Sequence, residues 1–188
     1  MKKIRLGNIL DIFSIIVVFM YIFIFKIYGS LDSAIFIGIL LALRLIIDGK
    51  MRRIFVAFVS TKNFLKLIIT FCLLVTWSLL VTVINATSDY SFIKTLIHLF
   101  IQLIIGVLVF AYLKRKEQQH DILKLITFVF IIQSIIILLG IVNVPFRDFL
   151  LATKTEFQIQ AANHYGYRGA NLCGSSFFGL AVGYAILF

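Results

Sequence analysis

Charged side chains are scarce in this sequence. They make up 14% of the 188 residues, against about 25% in a typical globular domain. Hydrophobic residues account for 62% of the chain, and the mean hydropathy is +1.08. A water-soluble fold of this size could not bury so much apolar surface, because a small domain keeps a large share of its surface exposed. The composition therefore excludes a soluble domain and predicts a protein of the lipid bilayer.

Cysteine and acidic residues are also few. The two cysteines, Cys72 and Cys173, stand far apart and have neither CxxC nor metal-ligand spacing. We therefore expect no disulfide framework and no zinc site. The 8 acidic residues include no pair in the predicted outward segments that could hold Mg²⁺. The sequence predicts neither a metal nor a cofactor.

Long apolar runs fill most of the chain. A bilayer core about 30 Å thick needs roughly 20 apolar residues in a helix. Five runs meet or approach this length, at residues 9–28, 31–47, 65–84, 92–113 and 122–142. A sixth begins near Cys173 and is still apolar at Phe188. We predict an all-α fold, a polytopic transmembrane helix bundle of about six spans with the last truncated. Residues 1–188 would form a single transmembrane domain, a fragment of a larger one.

The basic residues are distributed unevenly along the predicted spans. Thirteen Lys and Arg lie in the N-terminus and in or beside the 48–64 and 114–121 loops, and five lie on the other side. Because cytoplasmic loops carry the excess of Lys and Arg, we expect a multi-pass protein of the bacterial inner (plasma) membrane with a cytoplasmic N-terminus. No basic stripe lies on a globular face, so we expect no nucleic acid partner.

Residues 51–65 combine basic side chains with an apolar helical face. This pattern is typical of a helix that lies along the inner leaflet and is attracted by anionic lipid. On the other side, residues 143–172 form a long outward (periplasmic) loop. Pro145 can begin a helix there, and Phe146, Phe149, Leu150 and Phe157 follow at helical spacing. An amphipathic helix on the outer surface and an ordinary linker helix both fit this pattern.

Arg168 is the only basic residue in the final approach to the sixth predicted span. That span begins near Ser175 or Ser176, and the N–H groups and partial positive charge of its N-terminus face the same region. A guanidinium beside a helix N-terminus predicts a diphosphate site; the alternative is that Arg168 lies among lipid headgroups. Tyr165 and Tyr167 have amphipathic rings that suit a sugar or a bilayer interface.

The fourth predicted span carries polar residues within its apolar run. Lys94, His98 and Gln102 recur at i, i+4 and i+8, which places them on one helix face. They could form a cationic wall of an outer cavity, since ionisable groups inside a membrane usually face the bundle interior or water. Alternatively, Lys94 snorkels to the interface while the other two bond to neighbouring helices. Gln133 and Ser134, in the fifth predicted span, are expected to join helices.

Residues 164–179 resemble the Wzy-type O-antigen polymerases, multi-span bacterial inner-membrane enzymes in one superfamily with the O-antigen ligases. That family has outward loops in which an Arg is followed eleven positions later by Gly. Arg168 and Gly179 stand at this spacing, and the following GSSFFGLAVGYAILF, which enters the sixth predicted span, is also similar to the family. Gly179 and Gly183 form a small-xxx-small pair, which is typical of close helix packing.

The resemblance implies polymerisation of lipid-linked O-antigen or related surface-polysaccharide repeat units. The chain would be an O-antigen polymerase-type glycosyltransferase of lipopolysaccharide biosynthesis, incomplete here, that transfers glycan from undecaprenyl diphosphate at the outer face of the inner membrane. Its implied partners are the undecaprenyl diphosphate-linked oligosaccharide, membrane lipid and a chain-length regulator. Arg168 would bind the lipid diphosphate, and the residues with weaker implied roles are Tyr165, Tyr167, Lys94 and His98. His164 is the candidate catalytic base. A transporter or flippase and a truncated, non-catalytic membrane protein are the alternatives.

Overall fold

A computed structural model of the chain describes residues 6–28, 31–85, 90–116 and 122–153, with side chains from residue 12 onward except that of Leu151. Helices make up about 88% of these residues, which confirms the predicted helical fold. The elements in chain order are α1 (Leu6–Ile22), β1 (Lys26–Tyr28), β2 (Leu31–Asp32), α2 (Ser33–Ile47), α3 (Gly49–Val59), α4 (Lys62–Ile84), α5 (Ser91–Arg115), α6 (Ile122–Val142) and α7 (Val144–Ala152).

Three of the described helices, α4, α5 and α6, are long and apolar enough to cross a membrane. At 1.5 Å per residue their 23, 25 and 21 residues extend about 31 to 38 Å, the thickness of a hydrocarbon core or slightly more. Helix α4 is the least covered: its buried residues are Phe64, Ser78 and Thr82, and Trp77 is 68% exposed. A helix so apolar and so uncovered is compatible with a membrane protein, because contact between apolar side chains and lipid hydrocarbon is not unfavourable.

Hydroxyl groups inside these helices bond to the backbone of their own helix. The Thr70 hydroxyl donates to the Lys66 carbonyl at 3.0 Å, that of Thr76 to the Cys72 carbonyl at 2.9 Å, and that of Thr127 to the Leu123 carbonyl at 2.8 Å. Each hydroxyl is thereby satisfied without a partner from outside the helix. These threonines therefore leave the helices able to face hydrocarbon, where an unmade hydrogen bond is costly.

The first predicted span, residues 9–28, was too long. Helix α1 ends at Ile22, and Lys26–Tyr28 pairs with Leu31–Asp32 in an antiparallel hairpin. The physical reason is Ser33, whose hydroxyl lies within hydrogen-bond distance of the carbonyls of Met20 at 2.8 Å and Phe23 at 3.2 Å. A side chain from beyond the hairpin thus satisfies the end of α1, which hydropathy along residues 9–28 could not reveal.

Helix α2 begins at Ser33, two residues later than the predicted span of residues 31–47. Asp32 is its N-cap, since the Asp32 carboxylate accepts from the N–H of Ile35 at 2.8 Å. Helix α7 is the helix expected from Pro145, and it begins one residue earlier, at Val144. There the Asn143 side chain accepts from the N–H of Phe146 at 3.0 Å.

The chain divides into two compact units. Unit 1 comprises Met1–Ile39 and Glu117–Phe188, and unit 2 comprises Leu40–Lys116. Within unit 1, α1 and α7 both pack against α6. The Phe23 ring meets Phe130 of α6 edge-on, with centroids 5.4 Å apart. The hairpin is tied to the end of α7, because the Lys26 N–H donates to the Thr153 carbonyl at 2.7 Å.

Within unit 2, α4 and α5 form an antiparallel pair, and α3 packs against both. The Phe58 ring of α3 lies 5.8 Å from Phe64 near the start of α4 and 5.6 Å from Phe110 near the end of α5. Farther along the pair, Phe71 stacks on Phe100 at 4.6 Å. The start of α4 and the end of α5 therefore lie together.

The amphipathic stretch predicted at residues 51–65 is not one helix. Helix α3 ends at Val59, and Thr61 caps the new helix α4 by accepting from the N–H of Phe64 at 3.3 Å. Part of the apolar face of α3 is covered by protein, since Met51 is fully buried and Phe58, although 38% exposed, packs on rings of α4 and α5. The predicted position along the inner leaflet stays a prediction, now for a shorter helix whose apolar face is partly packed on protein.

Candidate functional site

The first half of α5 carries polar residues on one face of an otherwise apolar helix. At about 100° per residue they fall within an arc of about 100°. They are Ser91, Lys94, Thr95, His98 and Gln102. We call this set the polar stripe. From its first member to its last it extends about 16 Å along the helix axis. In a helix long enough to span a membrane, polar side chains at this depth are costly unless they meet water, a ligand or other polar groups.

The polar stripe lies on the side of α5 that α4 does not cover. Phe100, which stacks on Phe71 of α4, projects about 180° away from the centre of the stripe. The buried residues Ile93 and Leu96 lie on the same side as Phe100. Lys94 and His98 are both exposed. Packing within unit 2 thus leaves the two titratable members of the stripe accessible.

Local hydrogen bonds organise the polar stripe. The Gln102 amide nitrogen lies 3.5 Å from Nε2 of His98, and the Thr95 hydroxyl donates to the Ser91 carbonyl at 3.0 Å. Chemically the stripe offers an ammonium group, an imidazole and an amide in sequence along one face. Such a set can donate several hydrogen bonds to the oxygens of a phosphate or diphosphate.

Of the candidate site residues predicted from the sequence, the described structure brings together Lys94 and His98, with Gln102 of the same predicted set beside His98. The others, His164, Tyr165, Tyr167, Arg168, Gly179 and Gly183, lie outside the described residues. Sequence analysis overlooked Ser91 and Thr95, although they share the helical spacing that drew attention to Lys94. Their signal was weaker because serine and threonine are common in apolar helices, where they bond to the backbone.

Gln133 is a second polar feature, in the middle of α6. Its side chain is fully buried, and neither its nitrogen nor its oxygen has a hydrogen-bond partner among the residues that the structure describes. It lies one turn beyond Phe130, whose ring meets that of Phe23 just after the end of α1. Gln133 was expected to join helices by hydrogen bonds, and the described residues contain no such bond. Ser134 donates instead to the Phe130 carbonyl of its own helix at 3.0 Å.

A third polar feature is the cluster around Asp48, between α2 and α3. The Asp48 carboxylate accepts from the N–H groups of Lys50 at 3.1 Å and Met51 at 3.2 Å, and it forms an ion pair with Arg115 at the end of α5. Beside it, the Arg44 guanidinium lies 5.0 Å from the centroid of the Tyr112 ring. The cluster fixes the start of α3 against the end of α5.

The surroundings of Asp48 shift its titration. Burial raises the pKa of the carboxyl, but its hydrogen bonds and neighbouring cations outweigh burial and hold the pKa below its ordinary value. The groups that lower it are, in order, the Met51 N–H, the charge of Arg115, the Lys50 N–H and the charge of Arg44. Asp48 therefore stays ionised at neutral pH and serves as a structural anchor.

The sequence was also compared with known proteins. No family model matches it, and neither does any curated protein or solved structure. Within the described parts of the chain, no three His, Cys, Asp or Glu side chains come together in a group that could hold a metal ion. The function must therefore be argued from the residues themselves.

Proposed function

We propose that this chain is part of a membrane-embedded glycosyltransferase that polymerises lipid-linked repeat units of a bacterial surface polysaccharide. It would cross the inner membrane about six times, with its N-terminus in the cytoplasm. Helices α4, α5 and α6 would be three of these spans. The shorter apolar helices α1 and α2 would be two more, and the apolar run that begins near Cys173 would be the sixth.

The polar stripe is the structural observation that carries this proposal. An exposed lysine and histidine on an apolar helix need a polar occupant, and a lipid-linked diphosphate is polar, anionic and delivered within the membrane. Arg168 supplies the sequence argument, since it precedes the sixth span at the Arg-to-Gly spacing of the O-antigen polymerases. Both features would lie on the outer side, where the basic residues are fewest.

The proposed reaction joins the glycan of one lipid to a sugar hydroxyl of the next repeat unit. The bond between the anomeric carbon and the diphosphate oxygen breaks, and the undecaprenyl diphosphate leaves with the bonding electron pair. The acceptor hydroxyl forms the new glycosidic bond and gives its proton to a base, for which His164 is the candidate. Negative charge grows on the leaving diphosphate, so fixed cations stabilise the transition state.

Each proposed site residue has a distinct part in this scheme. Arg168 would bind the diphosphate as a planar, two-pronged donor, with Lys94 and His98 adding donors from α5. Tyr165 and Tyr167 would stack on sugar rings. Gly179 and Gly183 would let the sixth span pack closely against a neighbouring helix. Further partners in this proposal are the surrounding lipid and a regulator of chain length.

The decisive experiment compares variants in the complete protein, assayed in detergent solution with purified lipid-linked repeat units. We expect Arg168→Ala to abolish long polymer and Lys94→Gln to reduce it about tenfold or more, the usual effect of losing one charge-stabilising donor. Arg168→Lys keeps the charge but loses the planar fork, so it should recover little activity. Arg147→Gln is the matched control, because it removes an outward cation that lies outside the proposed site.

Normal polymer from Arg168→Ala would remove Arg168 from the mechanism. The assay also distinguishes the proposed enzyme from a transporter or flippase, which the exposed stripe on α5 supports equally. A transporter forms no polymer in detergent solution, whereas the proposed enzyme does, since no translocation step is needed there. Membrane insertion of each variant is checked in parallel, so that loss of the protein is not mistaken for loss of activity.

A further inference from the structure

One end of unit 2 concentrates positive charge. This end, which we call the cationic end, is where α3, the start of α4 and the end of α5 meet around Phe58. Its described lysines and arginines are Arg44, Lys50, Arg52, Arg53, Lys62, Lys66, Lys114, Arg115 and Lys116. Lys94 is the one described cation at the opposite end of the α4–α5 pair. Within the described part of unit 2, Asp48 is the only acidic residue.

Asp48 cannot neutralise this charge. Its carboxylate already holds Arg115 and the N–H groups of Lys50 and Met51. Even after this ion pair is subtracted, the cationic end keeps a large positive excess. Three of its other cations lie against a ring: Arg44 and Lys116 are 5.0 Å and 4.9 Å from the centroid of Tyr112, and Lys114 is 6.0 Å from that of Phe110. The remaining lysines and arginines of α3, α4 and α5 are exposed.

The packing of α3 decides how this end can meet a membrane. A helix that binds a membrane surface ordinarily inserts its apolar face into the headgroup region. Much of the apolar face of α3 is occupied, because Met51 is fully buried and Phe58, although 38% exposed, packs against Phe64 and Phe110. What α3 presents outward is its other face, with Arg52 and Arg53 exposed. Contact through Arg52 and Arg53 is electrostatic.

We propose that the cationic end binds the phosphate headgroups of anionic phospholipids by charge, while much of the apolar face of α3 stays packed on α4 and α5. Between the polar stripe and this end α5 is apolar, and the cations Lys62 and Lys66 lie in the first turns of α4 and Lys114 in the last turn of α5. Cations at that boundary stand at the depth of headgroups. This position favours lipid over nucleic acid, which would have to approach past the same headgroups. The inference is independent of the proposed enzymatic function.

The test uses the full chain purified in an uncharged detergent. Binding of fluorescent phosphatidylglycerol is measured by anisotropy for the wild type, for R52Q/R53Q and for the matched control K26Q/R147Q. Each double variant removes two cations, but the control removes them from unit 1. We expect R52Q/R53Q to bind about 10- to 30-fold more weakly, since each nearby cation strengthens the attraction about fivefold, whereas the control should bind like the wild type.

Two further arms make the test specific. Raising the salt from about 0.05 M to about 0.5 M should weaken binding, because screening shortens the range of the charges. R52K/R53K should bind like the wild type, since it keeps the charges. If R52Q/R53Q fails to fold, R52K/R53K and the salt series decide the result.

Three results would overturn the proposal. One is equal affinity of the wild type and a folded R52Q/R53Q. Another is equal binding of phosphatidylcholine and phosphatidylglycerol, or binding that salt does not weaken. The third is tighter binding of a labelled RNA than of phosphatidylglycerol, which would assign the cationic end to nucleic acid.

Discussion

Ser33→Ala is predicted to destabilise unit 1 through the end of α1. Ser33 is fully buried. Its hydroxyl oxygen accepts from the N–H of Phe25 at 3.1 Å, and its hydrogen can donate to the carbonyl of Met20 or of Phe23. Alanine would fit the same space, so the substitution removes these hydrogen bonds while leaving the packing nearly unchanged. The backbone bond from the Ser33 N–H to the Phe25 carbonyl, at 2.8 Å, would remain.

The size of the effect follows from what loses its partner. One N–H and one carbonyl are left without a hydrogen bond, and each such buried group costs about 1–3 kcal/mol. The hydrogen bonds of the Phe25 N–H and the Met20 carbonyl are only partly buried, so the lower part of that range applies to both groups. We therefore expect a loss of about 2–3 kcal/mol. For a chain of this length the melting temperature should fall by about 5–10 °C.

The assay is thermal unfolding of the purified protein in detergent, followed by circular dichroism. The matched control is Thr127→Val on α6, which removes a hydroxyl that bonds only to the carbonyl of Leu123 in its own helix. That carbonyl keeps its place in the helical hydrogen-bond ladder, so the control should change stability by about 0.5 kcal/mol or less. If Ser33→Ala had the same melting temperature as the control, the hydroxyl would not hold the end of α1. Our account of why that helix stops would then be refuted.

Two other predictions concern polar groups that the structure places in unusual surroundings. Asp48 has a lowered pKa in the fold, so its ion pair stabilises the protein above about pH 4 and that stability is lost as the pH falls through the folded pKa. The melting temperature of the wild type should therefore drop on acidification from about pH 5 to about pH 3, and that of Asp48→Asn should drop less; parallel curves would contradict this. Gln133→Met should raise stability by about 1–3 kcal/mol, because it removes a buried amide without a described partner. A lower melting temperature would show that the amide is bonded.

Two predictions made from apolar run length agreed closely with the structure. The run at residues 122–142 is helix α6 with the same bounds, and the run at 92–113 lies within α5. A helix satisfies its own backbone through bonds four residues apart, so its extent depends mainly on neighbouring residues. The end of α1 was missed for the opposite reason: the group that satisfies it, the Ser33 hydroxyl, stands 10 to 13 residues farther along the chain.

The candidate site was predictable only in part. Helical spacing placed Lys94 and His98 on one face of α5, because that relation is local. It could not say which face of α5 would be covered. The stacking of Phe71 on Phe100 settles this for α4, since it places α4 on the side opposite the polar stripe.

The sequence alone determined that most of this chain would be apolar helix and that its cations would gather at the ends of those helices. Both properties follow from short runs of residues, which decide helix formation and charge locally. Only tertiary structure decided that much of the apolar face of α3 packs on α4 and α5, that Arg115 holds Asp48, and that Gln133 is enclosed. Each of these depends on a group brought close by packing, because burial and pairing are set by neighbours in space.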